Sequence, residues 1–296
     1  MKKNSDYDLS VCLAGIRKNN WSRLYNSIAL SVTEKYSFEL ILCGPHPELP
    51  DELKNLKNVS CIQDFGSPTR AQQISMKNAS GRYITWAADD GWYYPDKLAE
   101  CIEELDNTLL EKKCIVTQYI EGGNDGLGGE NMYYINKHRP VKSPVIPNDF
   151  VIFNCVILPT QYFKDLGGFC CEFEVCPLAF VDFGARAQFD GIYVTLKEAI
   201  FECTHTPGEV GDHGPIHRAQ IDHDESIYRR IWKGKGKTIE SVSVRIKLDY
   251  DNWKNAPAIW SRRFESTEWV GEGGNSRVRA IVQHDGEQAE WREEEE

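Results

Sequence analysis

The sequence predicts an α/β fold with a mostly parallel central sheet flanked by helices. Three observations predict it. Between residues 8 and 120, short apolar runs alternate with segments whose apolar residues recur every three or four positions. The short runs are apolar almost throughout, as in strands covered on both faces. Proline and glycine mark the boundaries between the two kinds of segment.

DLSVCLAGI (8–16) reads as a buried strand, and residues 21–33 as a helix with Leu24, Ile28 and Val32 on one face. FELILCG (38–44) is a second strand, stopped by Gly44-Pro45, and NVSCIQ (58–63) is a short third. Ser67 caps a helix with Pro68 at its first position, running to about Asn78 and closed by Ser80-Gly81. YITWAAD (83–89) is the next strand. Pro95 opens a helix whose Leu98, Ile102, Leu105 and Leu109 form an apolar stripe. CIVTQYI (114–120) is a further strand.

The order changes after residue 121. EGGNDGLGGE is a glycine-rich loop without the strand-to-helix context of a dinucleotide fingerprint. Residues 131–159 read as irregular strands, and PTQYFKDLGGF as a short helix closed by Gly167-Gly168. Residues 177–190 read as a helix, and GIYVTLKEAIFECTH as one or two strands. GEVGDHGPIHRAQIDHD reads as a polar loop with His213, His217 and His223, and ESIYRRIWKGKGK as a helix. From about residue 238 the pattern is irregular.

The totals bound the function. A chain of 296 residues with 41% hydrophobic content can build the core of one large domain or two smaller ones. Its 45 acidic against 34 basic residues, net charge -11, argue against broad contact with nucleic acid. No run approaches the roughly 20 apolar residues of a transmembrane segment. The N-terminal MKKNSDYDLSVCLAG does not read as a signal peptide, so a cytoplasmic location is expected. Ten scattered cysteines, several inside strand-like runs, read as small buried hydrophobes in a reducing compartment. Cys170, Cys171 and Cys176, with Cys203 and His205, match no common zinc spacing.

The chemistry centres on YITWAADDGWYYPDKL (83–98). Asp89 and Asp90 follow a strand, where open α/β sheets bind ligands. Adjacent carboxylates repel, so they call for water or a cation. The alternative is a solvated turn before the following helix. Trp86, Trp92, Tyr93 and Tyr94 flank the pair, and core burial is the simpler account of Trp86.

Taken in order, several pieces resemble the inverting nucleotide-sugar glycosyltransferases of glycosyltransferase family 2, which have the GT-A fold. DLSVCLAGIRKNNWSRLYNSI resembles the family's opening unit. GSPTRAQQISMKNASGRYITWAADD resembles its Gly-x-x-x-Arg helix and the strand carrying its Asp-x-Asp region. FKDLGGFCCEFEVCPLAFVDFGARAQFDG resembles its Gly-Gly-Phe turn and acceptor-side helix, and HDESIYRRIW its closing segment. The departures are Ala88 in the Asp-x-Asp region, or a register shifted by one there because four residues rather than three separate Asp90 from Pro95, Cys43-Gly44-Pro45 where the second strand usually ends in aspartates, and Val181 before Asp182. The Gln-x-x-Arg-Trp motif of processive members is absent.

The resemblance implies a metal-dependent, non-processive transfer of a sugar, with a UDP-sugar as donor and a glycan or other hydroxyl as acceptor. It implies a GT-A domain over 1–235, with a nucleotide-binding half (about 1–120) and an acceptor-side half (about 121–235). Residues 236–296 form an extension. Asp90 would ligate Mn²⁺ or Mg²⁺, carboxylates being suitable hard ligands, with His205 as a further ligand. Asp89 would touch the ribose or share the metal, and Arg70 would pair with phosphate. Ala14 and Gly15 would leave room for the base. Asp182 would be the general base, with Glu172 and Glu174 as alternatives; an i,i+4 ion pair with Arg186 is the structural alternative for Asp182. A degenerate fold that binds without turnover is the alternative function. A nucleotidyltransferase ranks lower, because LAGIRKNNW has a single glycine.

Overall fold

The computed structural model describes residues 6–121, 134–135, 150–203, 213–232, 246–264, 269–270, 277–282 and 289–294. Strand β1 (Tyr7–Ala14) leads into helix α1 (Trp21–Val32), followed by β2 (Phe38–Gly44), β3 (Val59–Gln63) and α2 (Pro68–Lys77). Next come β4 (Gly81–Thr85), β5 (Gly91–Tyr93), α3 (Lys97–Asp106), β6 (Lys113–Glu121) and β7 (Tyr134–Ile135). The second half holds β8 (Val156–Pro159), α4 (Thr160–Asp165), α5 (Cys176–Phe189), β9 (Tyr193–Cys203), α6 (His213–Ala219) and α7 (Glu225–Trp232).

The main sheet runs β3-β2-β1-β4-β8-β6-β9-β5, with β7 beside β6. The strands from β3 to β4 are parallel, as the alternation predicts. Beyond β4 the sheet is mixed. β8 is antiparallel to both β4 and β6, β5 is antiparallel to β9, and β6 with β9 is parallel. Parallel pairing, as expected, therefore runs from β3 to β4 and recurs between β6 and β9, with β8 and β5 inserted antiparallel.

Two clusters cover the sheet. One packs Trp21, Leu24 and Ile28 of α1 and Leu98 and Ile102 of α3 against Leu9, Val11, Leu13 and Leu40. The other gathers Trp86, Phe163, Phe169 and Phe183 around Ile84, Val156 and Leu158. Trp86 is a core residue, as expected, and its indole N–H donates to the Phe153 carbonyl at 3.1 Å. Ser67 caps α2, accepting the Arg70 N–H at 3.3 Å. Gly167 and Gly168 end the turn after α4 with φ of 81° and 66°, values that favour glycine.

Three segments differ from expectation. β4 stops at Thr85 because Trp86 turns into the core and Asp89 is drawn to the loop after β1. Leu109 lies beyond the end of α3 and is exposed, so it leaves the predicted stripe. The expected polar histidine loop is helical from His213. Its Ala219 packs with Val175 and Trp260, and its Asp224 accepts the N–H groups of Glu174 and Val175 at 2.8 and 2.9 Å. Burial pushes the Asp224 carboxyl above its ordinary range, against the pull of His223 and these two N–H groups.

Residues 246–264 pack as a strap against the body. Leu248 N–H donates to Leu166 O, Trp260 N–H to Phe65 O, and the Asn252 side chain accepts from Cys171 N–H. Three short strands, β10 (Trp269–Val270), β11 (Arg277–Val282) and β12 (Ala289–Glu294), pair antiparallel. The glycine-rich loop, EGGNDGLGGE, lies outside the described residues apart from Glu121.

Candidate functional site

A cavity of about 360 Å³ opens at the carboxyl ends of β1, β2 and β4. Ala14, Gly15 and Arg17 form its wall after β1, and Ala87 to Asp90 its wall after β4. Pro68, Ala71 and Gln72 enter from α2, and Pro177 and Phe180 from α5. This is where an open α/β sheet binds ligands.

The rim is closely built. Gly15 N–H donates to the Cys43 carbonyl at 2.9 Å, and a Cβ on Gly44 would fall 1.9 Å from the Gly15 oxygen, so only glycine fits there. Gln72 clamps the end of β1. Its Oε1 accepts the Ala14 N–H at 2.8 Å, and its Nε2 donates to the Cys12 carbonyl at 2.6 Å.

Asp89 fastens the two walls together. Its Oδ2 accepts the N–H groups of Ile16 and Arg17 at 2.7 and 2.6 Å and the Trp21 indole N–H at 3.2 Å. Its Oδ1 accepts Arg17 Nη1 at 2.6 Å. The Asp90 Oδ2 lies 3.8 Å from the same Nη1, and the Asp90 carbonyl accepts Arg23 Nη2 at 2.8 Å. Both aspartates are buried. The cation between them is thus a guanidinium belonging to the chain. Sequence reasoning missed Arg17 and Gln72. The signal for Arg17 was its place just past the first strand, where ligands of such sheets sit.

Ala14, Gly15, Asp89 and Asp90 line one cavity, and Arg70 and Asp182 do not join them. Arg70 is buried away from the cavity wall. Its Nε and Nη2 donate to Asp64 at 3.0 to 3.1 Å, and its Nη1 to the carbonyls of Trp253 and Ala256 at 2.6 and 3.1 Å. The expected phosphate arginine therefore anchors the strap. Asp182 is also off the wall. It is fully buried, its Oδ2 accepts Arg186 Nε at 2.9 Å, and its Oδ1 accepts the Trp232 indole N–H at 3.1 Å. As placed it forms the i,i+4 ion pair, because α5 turns Pro177 and Phe180 toward the cavity and Asp182 toward the core. His205 lies outside the described residues.

Cys155 and Cys176 also line the cavity, and burial pushes their thiols up to about 11 and about 12, so they stay protonated at neutral pH. All ten cysteines are free thiols, and no group of three or more metal-ligating side chains stands together among the described residues. Among these residues, no helix is long and apolar enough to cross a membrane.

A second cavity, about 540 Å³, lies across the ridge formed by Ser67-Pro68 and Glu174-Val175. Glu172, Glu174, His223, Asn252 and Trp260 line it. The alternative bases Glu172 and Glu174 thus face this space, paired with Arg230 and Arg262 respectively.

No family model matches the chain, and no curated protein does. Among solved structures, S. aureus TarS 1–349 in complex with UDP is 15% identical over 82% of this chain and 76% of that one, with a TM-score of 0.49. The same protein in complex with UDP-GlcNAc is 16% identical over 87% and 83%, with a TM-score of 0.49.

Proposed function

We propose that this protein is a non-processive glycosyltransferase that moves a sugar from a nucleotide-sugar donor to an acceptor hydroxyl. One observation carries the reading: a cavity at the carboxyl ends of parallel strands, with Asp89 and Asp90 in its wall. The donor is a UDP-sugar, with its base over Ala14 and Gly15, and the acceptor is a glycan or other hydroxyl compound.

Asp90 would hold Mn²⁺ or Mg²⁺. Such ions use one or two carboxylates together with substrate phosphates, so a single protein carboxylate fits them. Held by Asp90, such an ion would supply positive charge against the diphosphate leaving group. Asp89 is committed to Arg17 and the loop after β1, and its part is to position them. In an inverting transfer the acceptor proton leaves on the face opposite the diphosphate, and that base is not assigned to Asp182.

Thermal unfolding with Mn²⁺ and a panel of nucleoside diphosphates and nucleotide sugars tests the reading, with UDP and UDP-GlcNAc first. A nucleotide-dependent rise in Tm that Asp90→Ala abolishes is expected. No rise with any nucleotide, for a folded sample, would sink it. A second reading is a nucleotide-sugar-binding protein without turnover. Phe180 and Pro177, the face that α5 presents to the cavity, favour it. Donor binding without release of nucleoside diphosphate, across a panel of hydroxyl acceptors, would select that reading.

A further inference from the structure

We propose that His223, held by Asp224, is the base that takes the proton of a hydroxyl acceptor bound in the second cavity. This rests on reading the protein as a glycosyltransferase, whose transfer needs such a base, since Asp182 is closed into the core. His223 lines the cavity of about 540 Å³, and its side chain is 34% exposed. Its Nδ1 lies 2.8 Å from Asp224 Oδ1. Asp224 is fully buried, and the N–H groups of Glu174 and Val175 hold its two oxygens at 2.8 and 2.9 Å. Both residues belong to Gln220–Asp224, a π-helical turn between α6 and α7, and such turns recur at functional sites.

A carboxylate accepts hydrogen bonds, so Nδ1 donates to Asp224 and the lone pair falls on Nε2. That is the arrangement of a base oriented by a third group. Glu174 Oε1 stands 3.9 Å from Nε2, where its charge stabilises the ring once protonated. The other oxygen of Glu174 already accepts Arg262 Nε at 2.8 Å. The remaining charges near the ring are Asp222 of its own turn, 3.7 Å from Arg262 Nη1, and two groups of the cavity wall, Asp249 of the strap and Glu172 with its partner Arg230. Among the described residues no cysteine or serine side chain bonds the ring, so the pair offers a proton acceptor and activates no nucleophile of the chain. The ridge of Ser67-Pro68 and Glu174-Val175 parts this cavity from the one holding Asp90. As the acceptor oxygen bonds the anomeric carbon, the carbon–oxygen bond to the diphosphate breaks. The nucleoside diphosphate leaves with that electron pair, and the hydroxyl proton passes to Nε2.

Steady-state release of UDP tests the assignment, with UDP-GlcNAc and other UDP-sugars as donors and methyl glycosides and water as acceptors. The assay runs from about pH 5 to about pH 8, where histidine changes charge. The wild-type rate is expected to fall toward acid as the ring takes up a proton. His223→Gln is expected to lower kcat about hundredfold and to lose that acid limb. Its KM for the donor and its affinity for UDP, by calorimetry, are expected to stay within about twofold of the wild type. NMR of the histidine side chains is expected to place the neutral ring's proton on Nδ1 in the wild type, and Asp224→Asn to lose that preference. An acid limb retained in His223→Gln would overturn the proposal, as would a loss carried by Glu174→Gln in its place. Should His223→Gln fail to fold by circular dichroism, a wild-type neutral ring protonated on Nε2 would overturn it. UDP release with His223→Gln unchanged removes this inference alone. No release of UDP from any donor removes the transferase reading and this inference with it.

Discussion

Arg17–Asp89 and Arg186–Asp182 are both buried arginine–aspartate pairs, yet they differ in span and surroundings. Arg186 and Asp182 stand one turn apart on α5, at 2.9 Å, with both side chains fully buried. Arg186 spends its remaining donors on the carbonyls of Leu166, Gly168 and Ile246. That pair ties a helix to the Gly-Gly turn and closes the core. Arg17 and Asp89 are 72 residues apart, and they join the loops after β1 and β4 at the wall of a cavity. The same chemical pair is a core fastening in one place and part of a cavity wall in the other. What separates the two is whether open space adjoins the guanidinium.

Breaking the core pair has the largest expected effect. Asp182→Ala strands a buried guanidinium and is expected to cost about 3–5 kcal/mol in urea denaturation. Replacing both partners, Asp182→Leu with Arg186→Met, is expected to recover much of that loss, because no unpaired charge then remains. Asp89→Ala is expected to cost less, about 2–3 kcal/mol, because the stranded Arg17 borders a cavity and has Asp90 nearby. It should also weaken nucleotide binding, which Asp182→Ala should affect only through stability. Equal losses from the two variants would erase the distinction.

A surface cluster sharpens the comparison with its pH dependence. Arg82 bonds Asp8 at 2.8 Å and Asp106 at 2.8 Å, and Tyr83 donates to Asp106 at 3.0 Å. Burial would raise the Asp106 carboxyl, but Arg82 and Tyr83 bring it below its ordinary 3.8. A lowered acid stabilises the fold above its unfolded value and loses that contribution as pH falls through the folded value. Asp106→Asn is therefore expected to cost about 1 kcal/mol at pH 7, and the gap should close below pH 3.8. Denaturation curves of both proteins from pH 7 to pH 2.5 check it. Leu109→Ser, at an exposed position beyond α3, marks the lower bound, with a shift within about 0.5 kcal/mol by thermal melting.

The first half of the fold was legible because its signals are local. Ser67 capping Arg70, the stripe of α1 and the Gly44 stop all depend on residues within a few positions, and each is realised. β5 was missed because three residues carry no period; its pairing with β9, across more than a hundred positions, creates it. The histidine segment folds as a helix because Asp224 and Ala219 find partners on Val175 and its neighbours, which spacing does not reveal. Within the site, Asp89 and Asp90 were found from their place after a strand. Arg70 and Asp182 were assigned by motif position, and motif position does not say which way a side chain turns. For Asp182 the i,i+4 arginine was the local clue to its place, and for Arg70 the competing carbonyls lie far along the chain.

The Arg70 anchor sets an order of events in time. Its bond to the Trp253 carbonyl spans 183 residues, and the neighbouring Gln73 reaches Tyr250 across 177. At roughly 5–20 residues per second of synthesis, α2 leaves the ribosome about 10–40 s before the segment that completes its hydrogen bonds. Until then Asp64, six positions away, is the acceptor within local reach of that guanidinium. The parallel strands can form during translation before residues 246–264 are made, so docking of the strap is a later step of folding than theirs.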